Sequence, residues 1–599
     1  MKKYKYIICC LLLVTLLFGS LPDSSVLQAA SVKKLELHAF YPSQTTFDTK
    51  AQKYIDALDS VSFAWGRLYG DLSEGVVTEL GKNGNTMFYY PDDYIDVLKY
   101  AKSKNKTIQL NIFTDSANAA KILPYADQRA KAANAVAELL KSDAGNGEQI
   151  YFDGVVMDFE GLQSRDNKGK PILINGKTMD SWYTQFLKEL KAELVKINKK
   201  MFVAVNPLIY YSGYNYKDIA AVADKMIIMA HDYEPVSKLT KSDIQDYTRS
   251  NSINPADSMA PIKKIRLVME DVKKYVDKAN LGKVMLQINF DIAQWRFALP
   301  AGTTWNKTSG SAISLEERNT PTYAMLYDRI QNITVKSKNM TYGYNNELQT
   351  PFIQFVNVDD NTQNVVLYEN SKSIKAKLDL VKEYGLGGIS LWSLGNVPDY
   401  TDKVSKTYGL DVWSSILGSL QVGPAAPLGS KVTFSDKTVE TAVRGQLMKP
   451  TGSIYTSELN RVYRLSVPAG VKTLIDLKKL PNLECLVISN AKITNISYVS
   501  SLKNLRSLYL QRNNISDITP LKGLTKLEVL SLNGNRISKI SALSSLTQLT
   551  ELYISDNLIA DYTPIAGLKQ LNSLFLKGNK SVNYSKLANV KKGLIESDF

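Results

Sequence analysis

Tyr151-Phe152-Asp153-Gly154-Val155-Val156-Met157-Asp158-Phe159-Glu160 is the stretch on which the fold turns. In an extended chain its side chains alternate, so Val156, Asp158 and Glu160 point to one side while Val155, Met157 and Phe159 point to the other. An apolar strand of this kind is covered on both faces. With helices on the outer face, the acidic side is the interior of a closed sheet. Working outward, seven more runs read as strands: Lys34 to Tyr41, Ser60 to Trp65, Thr107 to Phe113, Met201 to Asn206, Lys225 to Met229, Lys283 to Asn289 and Gly388 to Trp392. Amphipathic helical stretches fall at 92–104, 127–142, 180–199, 216–223, 263–280 and 371–384. Eight strands with intervening helices predict an α/β architecture, a (β/α)8 TIM barrel, over residues 32–416. The span from about 297 to 368 is too long for a loop and carries its own strand-like runs, so it reads as a small α+β insertion.

The C-terminal third repeats every 22 residues. Leu483, Leu505, Leu527, Leu549 and Leu571 keep that interval, as do Asn513, Asn535, Asn557 and Asn579. The pattern L-x-x-L-x-L-x-x-N-x-I resembles leucine-rich repeats, in which each unit offers a short strand and the Asn side chain bonds the turn. The repeat domain spans 432–599. Its N-terminal cap, about Phe434 to Leu465, resembles that of internalin-like bacterial repeats. Strand alternation places Tyr509, Tyr553 and Phe575 on the concave face, with Cys485 in the same column. This predicts a partner-binding surface, against the alternative of a solvated face with incidental aromatics. A Pro/Gly stretch, Gly423 to Ser430, marks a linker at 417–431.

Composition narrows the chemistry. With 44% hydrophobic and 22% charged residues in 599, the chain is not compositionally disordered. His38 and His231 are the two histidines, which excludes His-rich zinc sites. Cys9, Cys10 and Cys485 cannot make a four-Cys metal site. Residues 1–30 read as a secretory signal: Lys2, Lys3 and Lys5, an apolar run from Ile7 to Phe18, and Ala29-Ala30. The expected product is exported, without a stable membrane span after signal removal, and is extracellular or held at a cell wall. A formal charge of +15 suits anionic polymers, but no nucleic-acid motif accompanies it.

Two carboxyls two residues apart on an interior strand face cost several kcal/mol unless paired, bonded or protonated, at ~1.4 kcal/mol per pKa unit. Crowding pushes their pKa values apart, giving one acid and one anion near neutral pH, as glycosidic-bond cleavage requires. The bland alternative is a last carboxylate that caps the following helix.

Here the chain resembles glycoside hydrolase family 18, the chitinase-like enzymes, in the style of bacterial spore and cell-wall members. Asp153-Gly154-Val155-Val156-Met157-Asp158-Phe159-Glu160 is similar to the family's D-G-x-D-x-D-x-E signature. Met229-Ala230-His231-Asp232-Tyr233 resembles its M-x-Y-D segment, and Gly387 to Gly395 its eighth strand. Tyr368-Glu369-Asn370 followed by Ser373-Ile374 resembles a segment preceding the last helix. The resemblance implies substrate-assisted retention, with Glu160 protonating the leaving oxygen and later activating water. Asp158 would bond the N–H of the sugar's 2-acetamido group, whose carbonyl attacks the anomeric carbon. Asp232 would position that group or water, and Trp392 would pack under the sugar. Asp153, Met229 and His231 complete the implied substrate-binding set. No cofactor or metal is implied. The substrate class would be N-acetylglucosamine polysaccharide, chitin or peptidoglycan, with a cell-wall or protein partner for the repeats. Val156 and His231 depart from the family pattern, which has an Asp or Asn and a Tyr there. They motivate a second reading, a catalytically weak or inactive glycan-binding or adhesion protein.

Overall fold

A computed structural model describes residues 33–70, 76–77, 79–80, 89–233, 260–299, 314–423, 428–581 and 583–599. The secretory-signal reading at 1–30 lies outside them. Eight parallel strands close into a ring: β1 (Glu36–Pro42), β2 (Ser60–Leu68), β3 (Thr107–Thr114), β4 (Gly154–Phe159), β5 (Lys200–Val205), β6 (Lys225–Ile228), β7 (Val284–Asn289) and, after an insertion, β13 (Gly388–Trp392). Closure is direct, because β1 pairs in parallel with both β2 and β13. A helix follows each strand: α1 (Thr49–Ala57), α2 (Tyr94–Ser103), α3 (Ala126–Lys141), α4 (Met179–Lys196), α5 (Tyr216–Val222), α6 (Ile262–Tyr275), α7 (Ser371–Glu383) and α8 (Val412–Ser419).

Alternation sorts the side chains into two cores. Val155, Met157 and Phe159 join the outer core beneath the helices, with Phe159 stacked on Tyr183 of α4 at 5.0 Å. Val156 joins Phe40, Ala64, Phe202, Ala204, Ile227, Met229 and Met285 in a small cluster inside the barrel. Below it, buried His38 bonds Ser390 through Nδ1 at 2.8 Å and Ser62 through Nε2 at 2.7 Å, and burial pushes the imidazole pKa down to about 3. That histidine is therefore a neutral filler of the barrel interior.

Between β7 and α7 lies a five-stranded antiparallel sheet: β8 (Ala293–Ala298), β9 (Ser314–Asn319), β10 (Ser337–Asn345), β11 (Thr350–Asn357) and β12 (Gln363–Leu367), in the order β9-β8-β12-β11-β10. Trp295, Phe297, Phe352 and Val365 form its own core. The sheet starts four residues before the expected 297, at Ala293.

The expected linker start needs correcting. α8 runs to Ser419, Gln421–Val422 pairs with Lys33–Lys34, and the Leu35 N–H donates to the Leu420 carbonyl at 2.8 Å. Residues 417–422 therefore belong to the barrel, tied by an antiparallel bridge that no periodicity announces.

Beyond it, α9 (Lys437–Leu447) buries Val439, Val443 and Leu447 as the cap. Seven parallel strands follow: β14 (Arg464–Ser466), β15 (Cys485–Val487), β16 (Ser507–Tyr509), β17 (Val529–Ser531), β18 (Glu551–Tyr553), β19 (Ser573–Phe575) and β20 (Glu596–Ser597). The repeated asparagines form a ladder. Asn535 Oδ1 accepts from the Ile515 N–H at 3.0 Å, while its Nδ2 donates to the Leu510 and Leu532 carbonyls at 3.0 and 2.8 Å. Each turn's backbone is satisfied by the next repeat's side chain, which is why the spacing is rigid.

The insertion meets the repeats at the β10–β11 turn. Glu347, 3% exposed, accepts from Arg464 Nε at 2.9 Å and from the Lys263 ammonium of α6, and Asn346 Nδ2 donates to Glu484 Oε1 at 2.8 Å. Glu383 of α7 joins Arg266 of α6 to Arg461 of the cap region. Cys485 is buried instead of lying open on the concave face, as are Ser507 and Val529 at the equivalent positions of the next two repeats, and burial raises its thiol pKa to about 12.

Candidate active site

Glu160 follows the last residue of β4, and its backbone N–H donates to the Thr114 carbonyl of β3 at 2.9 Å. The turn beyond it is fixed by β5. The Gly161 N–H donates to Asn206 Oδ1 at 2.9 Å, and the Tyr214 hydroxyl lies 2.7 Å from both that oxygen and the Phe159 carbonyl. Gly161 has φ +73°, a conformation that glycine adopts without strain. The Glu160 side chain is partly exposed and makes no hydrogen bond to the described residues. Burial pushes its pKa up; His231 opposes this and Asp232 reinforces it.

Asp158 sits one step deeper on the same face, buried. Asn111 of β3 donates through Nδ2 to Asp158 Oδ2 at 3.3 Å, while Asp158 Oδ1 and Asn111 Oδ1 are buried without hydrogen-bond partners among the described residues. Desolvation, then the neighbouring Glu160 charge, hold the Asp158 carboxyl well above the usual carboxylate range. Both carboxyls are thus displaced toward the protonated form, where the sequence predicts one acid and one anion. Val156 beneath them is apolar, and Asn111, its register partner on β3, supplies the polar contact to Asp158.

The third element is an ion pair. His231 bonds Asp232 Oδ2 through Nδ1 at 2.8 Å and Gln287 Oε1 through Nε2 at 2.6 Å, and Asn289 Nδ2 donates to Asp232 Oδ1 at 2.8 Å. Burial pulls the imidazolium pKa down, but the Asp232 carboxylate, its hydrogen bond and Gln287 outweigh this and set it at about 9. Asp232 is shifted the other way: desolvation raises its pKa, yet His231 and Asn289 leave it below the usual range. It adopts φ +62°, a sparsely populated conformation for a non-glycine residue. His231 therefore differs from its expected role. Both ring nitrogens are committed, so the imidazole acts as a charged brace for Asp232 and has no free N–H for an acetamido group.

Trp392 ends β13, half-buried, with its ring 5.4 Å from Phe40 over the interior cluster that includes Met229. These two, with Asp158, Glu160 and Asp232, come from the ends of β4, β6 and β13, the face where barrel chemistry is placed. Asp153 does not belong with them. It precedes β4 at the opposite end, accepting from the Ile108 N–H at 2.9 Å and Lys102 Nζ at 2.7 Å. Five strand residues at ~3.3 Å each put it about 16 Å from Asp158. On the repeats, Tyr509, Tyr553 and Phe575 are partly exposed on equivalent strand positions, and Tyr553 stacks on Phe575 at 5.2 Å.

Asn111, Asn206, Tyr214, Gln287 and Asn289 were not anticipated as site residues. Four of them carry a readable signal, because Gln109/Asn111, Asn206 and Gln287/Asn289 interrupt apolar strands at alternate positions, as Asp158 and Glu160 do. Tyr214 lies outside any strand and carries none.

The family described as "Glycosyl hydrolases family 18" matches residues 39–396, and "Leucine Rich repeats (2 copies)" matches residues 503–545. The chain is similar to the cortical fragment-lytic enzyme of Bacillus subtilis, 22% identical over 264 residues, 43% of this chain and 50% of that protein. It thus spans about half the length of that curated relative. Similar solved structures include the spore cortex-lytic enzyme SleL of Bacillus megaterium, at TM-score 0.45 and 16% identity, covering 66% of this chain and 76% of that one. Another is a chitinase from Chromobacterium violaceum, at TM-score 0.44 and 15% identity, covering 64% and 99%.

Proposed function

Since this chain belongs to glycosyl hydrolase family 18, we propose that it cleaves β-1,4 linkages in N-acetylglucosamine-containing polymers by substrate-assisted retaining catalysis. The observation that carries this reading is the pair Asp158 and Glu160, both with raised pKa values, at the strand ends beside Trp392.

Desolvation raises the Glu160 pKa above the usual carboxylate range, and its side chain makes no hydrogen bond to the described residues, so its proton can go to the leaving glycosidic oxygen. Asp158 is anchored through Oδ2 by Asn111, which leaves Oδ1, once the carboxyl has ionised, to accept the acetamido N–H. The acetamido carbonyl oxygen bonds the anomeric carbon as the bond to the protonated leaving oxygen breaks, and the Asp158 carboxylate steadies the oxazolinium ion so formed. Water then opens that ion at the anomeric carbon, giving its proton to Glu160. Asp232, braced by His231 and Asn289, presents a fixed anion at the rim, and Trp392 offers a ring face to the sugar. The relative's name, a cortical fragment-lytic enzyme, favours peptidoglycan-derived glycan over chitin. Export and retention at a cell wall, with the repeats meeting a protein or wall partner through Tyr509, Tyr553 and Phe575, complete the proposal.

The second reading, a glycan-binding protein without turnover, rests on Val156, which leaves Asp158 without a carboxylate below it. Incubation with chitin oligomers and with cell-wall sacculi, with products identified by mass, tests both. The hydrolase reading requires new reducing ends on N-acetylglucosamine. Saturable binding with no cleavage product refutes it and supports the binding protein.

A further inference from the structure

Beside Trp392 lies a cleft of about 440 Å³ that does not include Glu160 or Asp158. One wall is the segment after β1 and the start of α1, with Gln44, Thr45 and Lys50; the other is Trp392 to Asn396, following β13. Its size falls in the ligand-pocket range of ~300–1,000 Å³, and most of its lining is polar.

Lys50 and Asp48 are its two charged residues, and they are committed differently. Asp48 is the N-cap of α1: its Oδ1 accepts the Ala51 N–H at 2.7 Å, so its charge is partly answered by the helix terminus. Lys50 is half-buried, with Nζ 5.5 Å from the Tyr54 ring centroid and 5.8 Å from that of Tyr400. Among the described residues it has no carboxylate within ion-pair distance: Asp399 pairs with Lys53 through Oδ2, its Oδ1 is buried without a hydrogen-bond partner, and it acts on Lys50 at longer range. Burial lowers the Lys50 pKa against the pull of Asp399 and Asp48, as a desolvated, incompletely matched ammonium should behave. Two aromatic faces compensate part of that cost, but a partly dehydrated cation still favours an anion at its open side.

Trp392 belongs both to this cleft and to the barrel mouth. A sugar held on it at the cleaved bond therefore places the next unit of the polymer along the cleft. We infer that Lys50 binds a carboxylate carried by that neighbouring sugar unit, which makes the cleft a selector for acid-bearing amino-sugar polymers. In peptidoglycan the carboxylate is either the lactyl group of a muramic acid that carries no peptide or, where the lactyl carboxyl is tied up in an amide, a carboxylate of the attached peptide; chitin has neither. The inference rests on the proposed glycan site for the placement of the sugar on Trp392.

The test uses the full chain carrying Glu160→Gln, so that bound glycan is not consumed, with and without Lys50→Gln. Three probes are titrated: chitin hexamer, glycan strands stripped of peptide by an amidase, and intact sacculi. The expected result is that Lys50→Gln weakens binding to at least one of the two acid-bearing probes at least tenfold more than to chitin, and that Lys50→Arg restores most of the loss. A loss confined to stripped strands assigns the lactyl carboxylate, a loss confined to intact sacculi assigns the peptide, and an equal loss on both shows that either carboxylate serves. Equal effects on chitin and on both acid-bearing probes, or no binding to any probe, overturn the inference. If the parent cleaves nothing while Lys50 still discriminates in binding, hydrolysis fails and the carboxylate site stands.

Discussion

Asp232→Asn is the substitution with the most to say about the electrostatics of the site. In the parent, His231 has a pKa of about 9 and His38 of about 3, so at pH 7 one of the chain's two histidines is charged by roughly a hundred to one and the other is neutral. Removing the Asp232 charge, and with it the charge assistance of the 2.8 Å bond, leaves burial as the largest influence on His231, and burial favours the neutral ring. The expected change is a fall from about 9 to 6.5 or below, roughly 2.5 units, or about 3 kcal/mol of differential interaction. The sign for stability follows. A pKa raised on folding contributes fully below the unfolded value of ~6.5 and is lost as pH rises through about 9, so the parent loses stability over that window and the variant does not. Histidine labelled with 13C at the ring gives two resonances, whose shifts are followed from pH 5 to 10. One resonance moving near pH 9 in the parent, and near or below 6.5 in the variant, is expected. A parent His231 already neutral at pH 7, or a variant titration that stays above pH 8, refutes the assignment of the charge to Asp232.

Asn111→Leu removes the 3.3 Å hydrogen bond to Asp158 and leaves a buried carboxyl without that support. A fall in kcat of about tenfold or more is expected with little change in KM, together with a displaced pH–rate profile, measured on oligosaccharide hydrolysis. Because burial raises the Glu160 pKa, activity in the parent should persist above the usual carboxylate range and then fall as pH climbs through that raised value; a profile falling near pH 4 contradicts this. Asn535→Ala strips four hydrogen bonds from adjacent repeat turns and should destabilise the array by about 2–4 kcal/mol in urea unfolding, against near-neutrality for a solvated surface site. Glu347→Ala leaves Arg464 buried without its carboxylate, at a cost of about 3–5 kcal/mol, and should free the repeats from the barrel, read as a larger radius in small-angle scattering.

Much of this was legible in the chain because periodicity is local. The eight barrel strands, the alternation that turns Asp158 and Glu160 inward and the 22-residue asparagine ladder follow from spacing alone. What escaped depends on partners distant in sequence. His231 reads as part of the substrate-binding set until Gln287, 56 residues on, is found on its second nitrogen. Asp153 reads as part of the acidic signature, but a strand has two ends, and its position at the lower one assigns it to Lys102. Cys485 shares a face with Tyr509 and Tyr553 by alternation, yet it stands at the first position of its strand, where Ser507 and Val529 of the next repeats are buried as well. The charge on Lys50 gains meaning only when Tyr400, 350 residues away, is placed beside it.

The central claim is that Glu160 donates the proton to the breaking bond. Glu160→Gln keeps the side chain's shape and removes the acid. With whichever polymer the parent cleaves, the variant should lose 10²–10⁴-fold or more in the rate of reducing-end release. Its affinity for that polymer, measured by calorimetry, should remain close to the parent's. A variant that cleaves as fast as the parent would contradict the account.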